Sequence, residues 1–495
     1  MPITHPNVYE ECEKEPLANS GLIQPNGVLL YIEKSTGQFC YVTENAADLL
    51  GEGPEELLGQ DGKDWLEQNL PDLASWPTSA GKRILFASAV DMGFGELDVL
   101  ISGTSNGWMV ELEASQSTTV NLEAIRIGRP QGQMDNAGLQ QLQQSLVDSV
   151  AKATGYDRVM LYRFQTDWSG EVLAEAVDPG QGAYLALRFP ATDIPAIARS
   201  LYAQTPYRHI PDSLAQPIAI KGRSSEGTTL DLTWSDLRSV SPAHMQYLAN
   251  MNVMSSFSTS IMMDGKLWGL VACHNNISKA IPLAAREHCK TLAAEFVGAL
   301  SDYRNLVQRD LYAKAVKAVE PISARLTDGA DLTSAIAPQL ETMTVLAAAT
   351  SAALIVGDSV QTWGPVPDGD SLMGIHDWCL KHQSDPVFCL DDLPAKMEQT
   401  EGMARSCGVL GIGLRAKHLN NALVNLYLFR PEEAGEVAWA GNPNKPVELV
   451  AQGHKLSPRT SFEKWVEVRD GHSRTWDEDA RFVGQQLRDL MATAL

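Results

Sequence analysis

The sequence predicts an α+β protein of three mixed domains with antiparallel sheets, a long connecting helix and an insertion in the last domain. Three observations predict this. A chain of 495 residues is too long to fold around a single hydrophobic core, and its length corresponds to about three domains of roughly 150 residues each. Short strand-like runs alternate with amphipathic helical runs in each third. The segment Leu283–Leu326 contains only Gly298 and Pro321 as helix breakers, which predicts a helix that leaves one domain and enters the next.

The first third has the pattern of a mixed α/β domain. Turn residues separate its strand-like runs, and Gly51 ends a short helical run at Leu50 because glycine tolerates the left-handed conformation there. The predicted elements are strands Gly27–Glu33, Phe39–Thr43, Glu96–Ser102 and Trp108–Ala114 and helix Glu44–Leu50.

The middle third begins with an amphipathic helix, in which Leu139, Leu142, Leu146 and Val150 recur at three- and four-residue steps before Gly155. Asp264-Gly265 is typical of a tight hairpin turn, so the strands on either side are expected to pair in antiparallel fashion. The predicted elements are strands Asp157–Phe164, Glu171–Val177, Ser255–Met263 and Lys266–His274 and helix Ile194–Tyr202.

The last third repeats this alternation and then adds a long insertion. Strands are expected at Ala352–Val356, Val409–Arg415 and Ala422–Phe429. The insertion from Trp439 to Trp476 is rich in Gly, Pro and charged residues, and residues 477–495 are expected to form a final helix.

Composition excludes several classes of function. The 61 acidic and 39 basic residues give a net charge of −22, which disfavours nucleic acid and anionic membranes as partners. No apolar run reaches the ~18 residues of a membrane span, and no signal sequence precedes the first domain. Seven scattered cysteines without a CxxC pair favour a reducing, cytoplasmic location. The ten histidines show no metal-ligand spacing, so we expect no metal site.

Five short motifs occur in a fixed order along the chain. They are Glu11–Pro16 with Gln24-Pro25 after it, Arg188–Pro195, Arg238–Leu248, Leu267–His274 and Pro458–Phe462. In this order the chain resembles a biliverdin-binding bacteriophytochrome photosensory module. The resemblance implies PAS, GAF and PHY domains. The expected boundaries are 1–125 for the N-terminal segment and PAS domain, 126–305 for the GAF domain, 306–495 for the PHY domain and about 436–476 for its tongue.

The resemblance implies a red/far-red light receptor rather than an enzyme. Cys12 is the expected thioether nucleophile for a linear tetrapyrrole, although a lone cysteine is usually of no consequence. Ala243 occupies the position at which plant and many cyanobacterial phytochromes attach their pigment, so the implied pigment is biliverdin. D-ring photoisomerisation would refold the tongue and signal to an output beyond the C-terminus.

The family's pocket residues map onto named positions here. The carbonyl of Asp193, beside Ile194, is expected to accept from the pyrrole N–H groups, although Asp193 also suits a helix N-cap. His244 would hold a water beneath the pyrroles, and His274 would bind the D-ring carbonyl. Without the family, each histidine would more often be an ordinary core residue.

Further pocket residues follow from the same resemblance. Arg208 and Arg238 are expected to bind one propionate, because arginine pairs well with carboxylates, and Ser256 and Ser258 the other. Solvated surface arginines are the plain alternative. Aromatic walls around the D ring are expected from Tyr162, Tyr202, Tyr247 and Phe189, which would serve equally as ordinary core.

In the tongue, Arg459 would reach Asp193 in one state and Ser461 would replace it in the other. The plain alternative for Arg459 is a solvated residue on a loop.

Two other functions compete with the light receptor. A GAF-type module that binds a cyclic nucleotide would leave Cys12 and the insertion unexplained. A thiol hydrolase would need a thiol of low pKa, whereas Glu11, Glu13 and Glu15 surround Cys12 and raise its pKa. The resemblance further implies a homodimer formed through the long helix. It also implies an output domain or response regulator outside this chain, as in a histidine kinase, and leaves the dark state and the output open.

Overall fold

The structure is a computed structural model that describes residues 15–70, 73, 75–86, 88–93, 95–116, 120–128, 135–223, 229–398, 403–416, 421–433, 435–443 and 462–495. The chain divides into two compact units. One is drawn from Met1–Leu300 with Ala438–Trp465, and the other from Ser301–Val437 with Val466–Leu495.

The strands of the described residues, in chain order, are β1 Leu22–Ile23, β2 Gly27–Glu33, β3 Phe39–Thr43, β4 Arg83–Leu85, β5 Val90–Asp91, β6 Glu96–Gly103, β7 Gly107–Ala114, β8 Arg158–Phe164, β9 Gly170–Val177, β10 Arg188–Phe189, β11 Tyr207–Ile210, β12 Ile218–Gly222, β13 Ser255–Met263, β14 Lys266–Asn275, β15 Ser351–Val356, β16 Ser359–Trp363, β17 Val387–Leu390, β18 Gly408–Ala416, β19 Ala422–Arg430, β20 Gly435–Ala440 and β21 Lys464–Arg469.

The helices of the same residues are α1 Ala46–Leu50, α2 Pro54–Leu57, α3 Gly62–Asn69, α4 Asn136–Thr154, α5 Ala196–Tyr202, α6 Pro242–Asn250, α7 Leu283–Thr327, α8 Leu332–Ile336, α9 Leu340–Leu346, α10 Gly369–His382, α11 Leu393–Lys396 and α12 Glu478–Ala494. Short 3-10 turns cover Leu17–Asn19, Leu122–Ala124, Ala191–Asp193 and Ala337–Gln339.

The first sheet belongs to the first unit and has the strand order β1-β12-β3-β2-β7-β6-β4, with β5 on β6. Residues at alternate positions face a core with α1–α3, as Val28, Leu30 and Ile32 do. β12 lies between β1 and β3, although it comes from the middle third of the sequence. The opposite face of this sheet therefore packs against residues from the middle third, among them Leu232 and Leu237.

The second sheet has the order β11-β13-β14-β8-β9-β10-β20-β21. The predicted hairpin is present, and Asp264 and Gly265 have φ values of 50° and 73°. α4 ends where Gly155 takes a left-handed conformation, as its sequence predicts. From β11 to β10 the neighbouring strands run antiparallel, and β10 pairs in parallel with β20 through Arg188 and Trp439.

The second unit contains the third sheet, with the order β16-β15-β19-β18-β17. One of its faces packs against α12, α9 and the C-terminal part of α7 around a buried core that includes Leu410, Leu426 and Leu487. The mixed α/β fold class is therefore confirmed, as is the long helix, which α7 extends by one residue beyond the predicted end to Thr327.

One local interpretation is wrong. The helix predicted from Ile194 begins at Ala196, because Pro195 is its N-cap and makes no side-chain cap hydrogen bond. Asp193 lies instead in the preceding 3-10 turn, where its carboxylate accepts a hydrogen bond from the Tyr247 hydroxyl. The N-cap alternative for Asp193 is thereby excluded.

Candidate functional site

A cavity of about 430 Å³ lies on one face of the second sheet, within the first unit. Its walls come from β8, β11, β13 and β14, from α5 and α6, and from the turn that contains Asp193. It is lined by every described residue that the sequence marks as a binding residue: Tyr162, Phe189, Asp193, Ile194, Tyr202, Arg208, Arg238, His244, Tyr247, Ser256, Ser258 and His274. The fold brings these residues together, while their individual roles stay predictions.

Strand alternation explains why several of these side chains share one face. Ser256 lies opposite His274, and Ser258 lies opposite Ala272, on the paired strands β13 and β14. Successive side chains of a strand point to opposite faces, so alternate residues reach the same side of the sheet. The hydroxyls of the two serines and the ring of His274 therefore lie along one wall of the cavity.

Two guanidinium groups belong to the lining of the cavity. Arg238 is buried, and Arg208 is half-buried with its remaining surface on the cavity. Arg208 donates to the carbonyl oxygens of Asp236, at 3.1 Å, and Arg238. Arg238 donates to those of Leu232 and Thr233, at 3.1 and 3.2 Å. Among the described residues neither forms an ion pair with a carboxylate.

Both cations are destabilised by burial in the apo protein. Burial, and after it the charge of Arg238, lower the pKa of Arg208 to about 9. Burial also lowers the pKa of Arg238. A buried cation without an anionic partner is costly, so this part of the cavity favours a ligand that carries a carboxylate.

Both histidines are neutral at physiological pH. Burial, with the charge of Arg208 nearby, lowers the pKa of His244 to about 4. Burial, then the charges of Arg158 and His244, lowers the pKa of His274 to about 3. Nδ1 of His274 is buried and has no hydrogen-bond partner among the described residues. A neutral ring with a free polar atom beside the cavity is suited to one hydrogen bond with a ligand.

Hydroxyl groups of two tyrosines are fixed around the cavity. Tyr247 donates to Oδ2 of Asp193 at 2.9 Å, and its ring stacks on His244 at a centroid distance of 5.9 Å. Tyr202 and Ser258 share a hydrogen bond of 2.7 Å. The contacts tie α5 and α6 to β13 and to the turn at Asp193.

Both ends of the predicted tongue contact this region. Ala440 and Phe462 pack in the same apolar cluster as Tyr162 and Phe189. The ring of Phe462 meets that of Tyr247 edge-on, with the centroids 5.2 Å apart. Arg459 and Ser461, the predicted latch residues, lie outside the described residues, and so does Cys12. The first described residue of the N-terminal segment, Glu15, nevertheless lines the cavity.

Sequence reasoning missed several lining residues. Leu270 and Ala272 alternate with His274 on β14, and Met160 precedes Tyr162 by two residues on β8, so strand alternation could have found them. Other lining residues come from the ends of α5 and α6 and from loops, where no local pattern signals them: Leu201, Thr205, Ser239, Ser241 and Met251.

Two other kinds of site were sought in the described part of the chain. It holds no group of His, Cys, Asp or Glu side chains that could bind a metal ion. None of its helices is both long and apolar enough to span a membrane.

Comparisons with known proteins agree with this arrangement. Three family models match consecutive parts of the chain: the PAS fold at residues 12–115, the GAF domain at 138–302 and the phytochrome region at 317–495. A bacteriophytochrome of Pseudomonas aeruginosa is 31% identical, with 99% of this chain aligned to 67% of its length.

This chain belongs to the phytochrome family. Cyanobacterial phytochrome B of a Nostoc species is 34% identical over 97% of this chain and 65% of its own length. The chain thus spans about two thirds of these curated relatives. The structure of the Stigmatella aurantiaca phytochrome photosensory core module matches with a TM-score of 0.80 and 30% identity over 97% of both chains. A bacteriophytochrome from R. palustris matches with a TM-score of 0.80 and 28% identity over 98% of this chain and 99% of the other. The chain is a PAS-GAF-PHY phytochrome module, from a family of bilin-binding photoreceptors.

Proposed function

We propose that this phytochrome is a red/far-red photoreceptor that binds biliverdin covalently through Cys12. The observation that carries the proposal is the pair Arg208 and Arg238, which face a cavity of about 430 Å³ without a carboxylate partner in the described residues. Guanidinium groups bind carboxylates strongly, and biliverdin carries two propionates. The volume lies within the range of about 300–1,000 Å³ that is usual for small-molecule sites.

The remaining wall residues fit the rest of a bilin. Ser256 and Ser258 would donate to the second propionate. The main-chain carbonyl of Asp193 and a water held by His244 would accept from the pyrrole N–H groups, and His274 would bind the D-ring carbonyl through its free nitrogen. When bound, the bilin supplies light absorption and photoisomerisation of its D ring. Tyr162, Phe189, Tyr202 and Tyr247 would form the apolar walls beside that ring.

The N-terminal segment supports attachment through Cys12. Glu15 and Leu17 line the cavity, and Cys12 precedes Glu15 by three positions. Three extended residues span about 10 Å at most, so the thiol of Cys12 lies within reach of the cavity. Because Ala243 offers no thiol at the alternative position, biliverdin is the bilin we propose.

The tongue would transmit the light signal. Its described ends pack beside Tyr247, which holds the carboxylate of Asp193, so a change at the bilin would reach the tongue through this residue. We infer that Arg459 pairs with Asp193 in one state and Ser461 in the other. Arg459→Ala would then alter the rate of dark reversion, whereas Arg474→Ala, outside the motif, would not. Unchanged reversion in Arg459→Ala would contradict the latch.

Domain boundaries and partners extend the proposal. Domains at 1–125, 126–305 and 306–495 each contain one of the three family matches. The chain would act as a sensor without catalysis of its own, in the cytoplasm. It would form a homodimer through α7 and pass its signal to an output domain or response regulator, such as that of a histidine kinase. The cyclic-nucleotide alternative is not favoured, because it leaves the phytochrome-region match unexplained.

Mixing the purified apoprotein with biliverdin tests the proposal. We expect a strong absorption band in the red region to develop, and fluorescence of the zinc-soaked protein band on a denaturing gel to report the thioether. Excess cyclic AMP or cyclic GMP should leave the reaction unchanged. A protein that develops no such band with biliverdin would refute the proposed function.

A further inference from the structure

A buried carboxylate of the first sheet reaches the turn that carries one of the two arginines. Glu111, on β7, is 2% exposed and lies outside the cavity lining. Its Oε1 accepts from the Ser235 hydroxyl at 2.5 Å and from the Leu237 N–H at 2.9 Å. Its Oε2 accepts from the Asp236 N–H at 3.1 Å. One side chain of the PAS domain therefore holds three consecutive residues of the middle third.

The same turn orients both guanidinium groups. Arg208 donates to the carbonyl oxygens of Asp236 and Arg238, so the path of the turn determines where its guanidinium points. Ser235 Oγ also accepts from the Arg238 N–H at 3.0 Å, which links Glu111 to the residue that supplies the second guanidinium. A displacement of this turn would move both cations.

A second contact from the PAS domain holds the turn on its other side. Arg83, on β4, binds the Asp236 carboxylate with two hydrogen bonds of 3.0 and 2.6 Å. Arg83 forms an ion pair with Asp236. The charge of Asp236 also partly offsets the lowering of the pKa of Arg208 and of Arg238, although neither guanidinium forms an ion pair with it. The backbone of the turn is thus fixed from two strands of the first sheet.

Glu111 and Glu113 differ in whether a cation balances their charge. Glu113 lies two residues further along β7, on the same face, and forms an ion pair of 2.9 Å with Arg286. Glu111 forms no ion pair among the described residues. Burial, and after it the charge of Asp236, raise the pKa of Glu111 to about 7. Burying a carboxyl group in such a position costs free energy. Its three hydrogen bonds to the turn offset part of that cost.

We propose that Glu111 is a positioning residue for bilin binding, which fixes the turn Ser235–Arg238 so that Arg208 and Arg238 face the same ligand carboxylate. The inference rests on the proposed function, since it takes the ligand to be a bilin with propionates. It makes the PAS domain a part of the binding site, although Glu111 itself does not line the cavity.

The decisive experiment compares biliverdin with its dimethyl ester, which has the same chromophore without free carboxylates. Affinities are measured by absorption titration in the Cys12→Ala background, in which no thioether forms, for the protein without further substitution, for Glu111→Gln and for the matched control Glu113→Gln. Gln fills the same volume but presents an N–H₂ group to at least one donor of the turn. We expect Glu111→Gln to weaken binding of biliverdin about 10- to 100-fold and to leave the ester nearly unaffected.

The control separates this role from general destabilisation. Glu113→Gln breaks a buried ion pair on the same strand face, but it should lower the affinities for both ligands equally or not at all. If Glu111→Gln folds poorly, as judged by circular dichroism, Ser235→Ala removes one hydroxyl of the same network. Ser235→Ala should also weaken binding of biliverdin and not of the ester, by a smaller factor than Glu111→Gln.

Two results would count against the proposal in different ways. If the protein without further substitution prefers biliverdin over the ester and Glu111→Gln keeps that preference, the positioning role is wrong while the proposed function stands. If the unsubstituted protein binds neither compound, the proposed function itself fails.

Discussion

The groups proposed for the two ends of the bilin are held in different ways. At the propionate end, backbone carbonyl groups already bind Arg208 and Arg238, and Glu111 and Arg83 fix the turn that supplies some of these carbonyls. At the D-ring end, Nδ1 of His274 has no partner among the described residues, and Tyr162 and Phe189 also line the cavity. The first set is preorganised before any ligand arrives, and the second offers a single polar contact.

This difference suits a ligand that must be anchored at one place and move at another. Cations that are already held in place bind a carboxylate without a free-energy cost for rearrangement. They therefore determine the position of the ligand. A wall of Tyr162 and Phe189 with one histidine nitrogen constrains a ring weakly. A pigment held in this way could rotate at its D ring while its propionates stay in place.

Loss of the covalent anchor should have the largest effect. Cys12→Ala is expected to abolish the covalent adduct completely, because no other thiol of the sequence lies at an attachment position of the family. Zinc-induced fluorescence on a denaturing gel measures this. Cys40→Ala, which changes a half-buried thiol of the first sheet, should retain full fluorescence. Zinc-induced fluorescence of the Cys12→Ala band would show that another residue carries the covalent linkage.

Removing a guanidinium should weaken the anchored end strongly. In the Cys12→Ala background, Arg208→Ala is expected to lower the affinity for biliverdin about 10- to 100-fold, since charged hydrogen bonds contribute roughly 1.5–3 kcal/mol. Absorption titration gives the dissociation constant. Arg208→Lys should recover part of the affinity that Arg208→Ala loses, because lysine restores the positive charge but does not form a bidentate pair with a carboxylate. An unchanged affinity in Arg208→Ala would show that propionates bind elsewhere.

At the other end, His274→Ala should affect photochemistry more than binding. One neutral hydrogen bond contributes about 0.5–1.5 kcal/mol, so the affinity is expected to fall about tenfold or less. The yield of the photoproduct should change more, because the D ring loses its one polar contact. Absorption titration gives the affinity, and light-minus-dark absorption gives the yield of the photoproduct. A large affinity loss with normal photoconversion would reverse the assignment of the two ends.

The smallest expected effect is a pair of opposite pH dependences of the apoprotein's stability. Burial raises the pKa of Glu111 from 4.5 to about 7, so its contribution is present below pH 4.5 and lost as the pH rises to 7. Burial lowers the pKa of His274 from 6.5 to about 3, so its contribution is present above pH 6.5 and lost as the pH falls. Each slope should not exceed roughly 1.4 kcal/mol per pH unit.

Urea unfolding across pH 4.5–7 measures both slopes. Glu111→Gln should remove the first slope, so that the variant gains stability relative to the unsubstituted protein as the pH rises. His274→Ala should lose stability relative to it over the same range. If both differences keep the same sign, the charge states assigned to Glu111 and His274 are wrong.

The sequence predicted the fold class and the cavity walls for identifiable reasons. Strand alternation and the Asp264-Gly265 turn are local signals, so the hairpin that carries Ser256, Ser258 and His274 was accessible from the sequence. Arg208 and Arg238 followed from the resemblance to the family, and only Arg238 lies within one of the five motifs. No local pattern predicts that β12 joins the first sheet or that Glu111 holds the turn Ser235–Arg238. Both depend on contacts between residues more than 100 positions apart, which local patterns do not encode.

The most direct test is the absorption spectrum of the biliverdin-loaded protein before and after saturating red light. The account predicts a reversible change between a red-absorbing and a far-red-absorbing form, restored by far-red light or by darkness. A protein that binds biliverdin tightly but shows the same spectrum before and after both illuminations would contradict it. The cavity would then be a bilin-binding site that holds its pigment at both ends.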